Sequence, residues 1–172
     1  MNRRTFLLSS IAGVSLIGTA SWYAIPAAEK SLSIKPMLDY LRSLKTSEIE
    51  FAGKWNAVQT FHHLAQSVEY SMVGYPEAKS QLFQSTLGRI AFHAFSEKKQ
   101  MRHNLEEPIP GAPMLIAIGS KEEAINRLIS ALQAFQSYTG KLAPHFAFGN
   151  LTHAQYEQAH VMHIQNHFQL LK

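Results

Sequence analysis

From residue 33 onward, apolar side chains recur at steps of three and four, and no stretch alternates with period two long enough to read as a strand. Met37, Leu38, Leu41 and Leu44 predict a helix over 33–44, with Pro36 tolerated in its first turn. Ala57, Phe61, Leu64, Val68 and Met72 form the stripe of a second helix over 56–73, which Gly74 and Pro76 stop. A third helix over 79–100 carries Leu82, Phe83, Leu87, Ile90, Ala91 and Phe95. Pro108, Pro110 and Pro113 exclude helix from 106–113, because proline lacks an amide donor and fixes φ. Ser120 with Glu123 is a capping box opening a helix over 120–138, striped by Ile125, Leu128, Leu132 and Phe135 and closed by Gly140. Thr152 with Gln155 opens a last helix that runs to residue 172. The fold expected is all-α: an up-and-down four-helix bundle with one inserted helix and a Pro-rich loop.

The first 28 residues follow a different pattern. Arg3 and Arg4 precede Phe6 and Leu7, and an uncharged segment diluted with Ser, Gly and Ala continues to Ala28. A basic start before a moderately apolar stretch is the mark of an export leader, and the paired arginines resemble a twin-arginine signal. Residues 1–28 are therefore expected to be a leader and 29–172 the folded domain. The expected destination is the periplasm; the plainer alternatives are a Sec-type leader or a single uncleaved inner-membrane anchor. The twin-arginine route carries folded proteins, which suits a cofactor loaded before export.

Of the formal net charge of +4, two units come from Arg3 and Arg4. The remainder is too mild for a nucleic-acid footprint, which needs clustered basic residues. Cysteine is absent, so disulfides, thiolate nucleophiles and sulfur ligands are excluded and any metal must sit on nitrogen and oxygen.

Histidine is the unusual count, nine in all, with His153, His160, His163 and His167 in the last twenty residues. At 3.6 residues per turn these four fall within roughly an 80° sector of the last helix, on the side of Tyr156, Ile164 and Leu171. Burying several imidazoles on one face costs free energy unless each finds a partner, and a shared cation offers one to all of them. His163 and His167, four apart, have Cβ atoms roughly 6 Å from each other, so both rings can reach one ion. A third ligand must come from another helix. The second helix offers His62 and His63, and periodicity does not choose between them. The bland alternative is a set of satisfied core histidines, and His93, His103 and His145 are read that way. Glu69 and Glu157 could orient a ligand or act as general bases, against the plainer reading of solvated helix carboxylates.

Trp55, followed eight residues later by His63, Leu64 and Ala65, the run Gln66 to Met72 with Gly74, Tyr75 and Pro76, the loop 107–113, the segment 145–149 and the closing His163 to His167 together resemble the DinB/YfiT-like superfamily, in a branch of unknown function. The resemblance covers nearly all of the chain after the leader. It implies a four-helix bundle whose metal site takes one histidine from the tryptophan-led helix and an i, i+4 pair from the last, here His63, His163 and His167, with His62 the runner-up. Asn166 departs from relatives that carry a further histidine before the last ligand.

Three neutral nitrogens leave coordination positions open, as at catalytic rather than structural zinc. Characterised members of the superfamily include transferases and isomerases that use small thiols. The resemblance thus implies a metal-dependent, thiol-using transferase or hydrolase acting on a small molecule, with Glu69 or His160 as candidate proton carriers. The alternative is a non-catalytic metal-binding or structural module of the envelope. Zinc leads among divalent metals, with nickel and iron next, since imidazole suits all of them. A homodimer is compatible with everything above.

Overall fold

The computed structural model describes residues 32–172; the expected leader lies outside the described residues. The chain is all-helical there: α1 (Ile34–Leu44), α2 (Ala57–Val73), α3 (Gln81–Phe83), a π-helical turn (Gln84–Gly88), α4 (Arg89–Lys98), α5 (Lys121–Ser137), α6 (His153–His167) and a 3-10 turn (Phe168–Leu170). None of these helices is long and apolar enough to cross a membrane. The arrangement fits a four-helix bundle of α1, α2, α5 and α6, in which α2 packs most extensively on α5, α1 on α5 and α6, and α2 on α6.

The apolar stripes of α1, α2 and α5 meet in one core. Ile34, Met37, Leu41, Phe61, Leu64, Ile125, Leu128, Leu132 and Phe135 are all but fully buried in it. Ser33 does not cap α1 through its side chain; the Ile34 amide instead donates to Glu157 Oε1 of α6 at 2.8 Å. Glu157 is thus a helix cap delivered from across the bundle, where the helix dipole favours a carboxylate. The two helices that carry the histidines begin alike. Asn56 with Gln59, and Thr152 with Gln155, form reciprocal capping boxes that hold both first turns. Ser120 accepts from the Glu123 amide at the start of α5, without the return bond.

The last helix differs from a one-sided amphipathic helix. Besides the expected Tyr156, His160 and Ile164, it buries Ala159, Val161, Met162 and Asn166. Met162 and Ala159 pack with Phe92 and Met101 in a second, smaller cluster, so α6 lies between the main core and the 92–101 segment.

The third predicted helix is also altered. It runs from residue 81 to 98 with a π-helical turn inside it, and it turns Leu82, Leu87 and Ile90 to solvent while burying Phe92. The inward side is set by Gly88 rather than by the longest apolar row. A Cβ at Gly88 would collide with the carbonyl oxygen of Ala147, so only glycine lets the two backbones meet. The residue inserted by the π turn shifts the phase of everything after it. Gly88→Ala is expected to destabilise by about 1–3 kcal/mol. The variant should melt lower and be cleaved faster within 81–98 under limited proteolysis; unchanged cleavage would remove Gly88 as the anchor of this helix.

After α6 the chain returns to the entry of α2. The Ala52 amide donates to Leu170 O and the Lys172 amide to Glu50 O, both at 2.8 Å. This strap places Trp55 beside the end of α6.

Candidate metal centre

His63 projects from α2, and His163 and His167 project from consecutive turns of α6. The three meet. One ring nitrogen from each lies within 4.8 Å of the others, and His63 Nε2 stands 3.3 Å from His163 Nε2. Ring centroids within the trio are 4.9–5.1 Å apart. Trp55 covers the group, its ring 4.8 Å from His63 and stacked at 6.2 Å on His167.

The donor set fits a cation. Two nitrogens bound at about 2.0–2.1 Å to a tetrahedral zinc stand about 3.3–3.4 Å apart, which is the His63 to His163 separation. One buried nitrogen of the trio, His167 Nε2, has no hydrogen-bond partner and is free to ligate; His63 Nδ1, the ring nitrogen opposite the one that meets His163, is unpartnered as well and a cation on Nε2 would not satisfy it. Buried polar atoms are rarely left so unless something else engages the ring. Glutamate and aspartate are missing from the trio, so a bound divalent ion would keep its full charge.

Basicity points the same way. Loss of solvation pushes His63 down to about 3 and His167 to about 2, with neighbouring histidines adding to both shifts. His163 is only half-buried, its free side facing a cavity, yet burial together with His167 and His63 holds it well below the usual range. All three are therefore neutral near pH 7, the form that ligates.

The remaining candidates separate by position. His62 turns away from the trio, and its Nδ1 accepts from Arg127 Nη1 at 3.2 Å. Arg127 also holds Glu69 through two bonds of 2.9 and 2.7 Å, so Glu69 is spent on an ion pair and does not line the cavity. His160 does line it. The Ser71 hydroxyl donates to Val68 O, so its oxygen accepts from His160 Nε2 at 3.2 Å, which leaves the lone pair of His160 on Nδ1. His153 is exposed and its Nε2 lies 3.0 Å from Phe135 O. His145 is buried, with Nδ1 accepting from the amides of Ala147 and Phe148.

His103 is the residue that sequence reasoning passed over. Its ring lies 4.9 Å from His163 and 5.3 Å from His167. It comes from an irregular loop, where no helical spacing relates it to the other histidines.

Beside the trio opens a cavity of about 330 Å³. Phe95, Met101, Ile109, Phe146 and Phe148 give it apolar walls, and His63, His160 and His163 face into it. Its charged lining residues are Lys79, Arg102 and Glu107. No salt bridge engages these three among the described residues. The size lies at the lower end of small-ligand sites, and the mix of apolar wall with a few polar groups is typical of them.

Fold and site together define an all-helical protein with three converging histidines able to hold a metal ion beside a ligand-sized cavity. The family model described as protein of unknown function (DUF1569) matches residues 30–172, and the chain belongs to that family. No curated protein and no solved structure matches the chain.

Proposed function

We propose that the protein is a metal-dependent enzyme of the DinB/YfiT-like kind, a transferase or hydrolase that acts on a small molecule and uses a thiol or water as nucleophile. One observation carries this reading: two neutral imidazole nitrogens at 3.3 Å, with a third within 4.8 Å, border a cavity rather than solid packing. A binding or structural module has no need of that cavity.

In this reading His63, His163 and His167 are the ligands. A divalent ion held there would supply Lewis acidity and a favourable position for an anionic nucleophile. The chain does the rest. The apolar walls exclude water, and Lys79 and Arg102 attract a negatively charged group at the cavity lining. His160 lines the cavity with its proton on Nε2 and its lone pair on Nδ1, so it offers an acceptor to a bound molecule, whereas Glu69 is ion-paired away from the cavity; burial lowers His160 to about 3, which suits it to orienting a donor group more than to carrying a proton at neutral pH. The segment 81–98 and the Pro-rich loop are then the insertions that wall the cavity of a DinB-like bundle. Arg3 and Arg4 support twin-arginine export to the periplasm, with 29–172 as the folded domain.

The test is elemental analysis of the full chain purified from a host with twin-arginine export, beside His163→Ala. About one equivalent of a divalent metal, zinc foremost, is expected in the first and a trace in the second. Equal content in both would end the reading.

A further inference from the structure

The loop after α4 passes along the open side of the three histidines and carries His103 there. Its ring centroid is 4.9 Å from that of His163 and 5.3 Å from that of His167. Within the trio the same spacing is 4.9–5.1 Å. By ring position, then, His103 is a fourth member of the cluster.

Its tautomer is also that of a ligand. The Asn104 carbonyl lies 2.8 Å from His103 Nδ1 and accepts its proton, which leaves the lone pair on Nε2. A backbone carbonyl on the second ring nitrogen is the usual partner of a metal-bound histidine. His145 and His62 have the reverse arrangement, with Nδ1 accepting and therefore not free.

A device on α6 sets where the loop lies. Asn166, between the two ligands of that helix, is buried, and in the amide orientation that satisfies both of its neighbours its nitrogen donates to Met101 O at 3.0 Å while its oxygen accepts from the His103 amide at 3.3 Å. Both functions of one side chain are thus used on the backbone that bears His103. The Met101 side chain adds an apolar anchor against Phe92, Ala159 and Met162.

We propose that His103 is a fourth nitrogen ligand, brought in by the loop and registered by Asn166, which closes the metal centre at rest and yields its place to an incoming anion. This rests on the metal reading above. The nitrogens of His103 stand outside the set that lies within 4.8 Å, so the ring must advance on the metal. Its residue is exposed, so that movement breaks no core packing.

The test uses the full chain loaded with cobalt(II), whose visible bands report coordination number and ligand type. His103→Ala is expected to weaken cobalt binding by at least about tenfold, as does loss even of an outer partner at such sites. It should also change the bands, and added imidazole should restore the wild-type spectrum. Azide should perturb His103→Ala at lower concentration than wild type, because no ring has to leave. Asn166→Ala should shift affinity and spectrum in the same direction with His103 still present. Wild-type affinity and bands in both His103→Ala and His103→Gln, or no response to imidazole, would overturn the proposal. If wild type binds cobalt and His163→Ala does not, the metal reading stands whatever His103 does; if wild type takes up no cobalt, both fall.

Discussion

Excess zinc is expected to raise the melting temperature of the metal-free protein by about 8–16 °C and to leave His163→Ala where it was. An ion that binds only the folded state at about a thousand times its dissociation constant adds about 4.1 kcal/mol. For a domain of this size each kcal/mol moves the midpoint by about 2–4 °C. The sign of a ligand substitution should then depend on the metal. His167→Leu removes a buried nitrogen that has no partner, and such an atom costs about 1–3 kcal/mol in the metal-free state. The metal-free variant should melt no lower than metal-free wild type, although it loses the whole zinc shift. A ligand set kept for packing alone would behave oppositely: His167→Leu would lower the midpoint with or without zinc, and zinc would move neither protein.

Metal-free protein should also unfold steeply in mild acid. His145 and His160, neither of them in the trio, are both held at about 3 by burial, with a neighbouring histidine adding to each shift. In the unfolded chain each takes up its proton near pH 6.5. Between these values the unfolded state binds more protons than the folded one. Stability is therefore complete above about pH 6.5 and is lost progressively as the pH falls towards 3. Each group contributes a slope of about 1.4 kcal/mol per pH unit, and the two together about 2.7. By pH 5 these two groups alone account for a loss of about 4 kcal/mol, a large part of the 5–15 kcal/mol that holds a typical domain together. Urea midpoints at pH 7.5, 6 and 5 would measure this; the trio, unmetallated, adds to the same slope, and His160→Gln should remove about 1.4 kcal/mol per pH unit of it. A midpoint independent of pH over that range would show that these imidazoles are protonated in the folded state after all.

Much of the architecture was legible because α1, α2 and α5 are simple: one apolar stripe each, and a core on one side. Met37, Leu41, Phe61, Leu64, Leu128 and Leu132 all lie where their spacing put them. Legibility failed where a helix has two neighbours or a glycine outranks a stripe. In α6, Met162 and Asn166 are as buried as Ile164 because the 92–101 segment covers the second side. In the 81–98 segment, Gly88 and the π turn decide which side faces in, and Leu87 and Ile90 remain outside. At the site, the i, i+4 pair on α6 was visible from spacing alone. The choice between His62 and His63 was not, since it turns on Arg127, fifty-eight or more residues away, which engages Glu69 and His62 together. His103 was out of reach for a similar reason: what brings it to the cluster is a hydrogen-bonded amide on another element, not a period along its own.

The two capped helices and the irregular segment 99–119 differ in how much of the molecule must give way before they move. His63, His163 and His167 project from helices that are capped at their first turns and packed into the main core, so the backbone positions that carry them are held by the bundle itself. The 101–103 backbone hangs on a single amide and one methionine side chain. Local opening with a small free energy is thereby confined to one wall. Traffic in and out of the cavity can proceed by fraying of that wall while the three-nitrogen frame stays rigid, which separates admission of a guest from the geometry that acts on it.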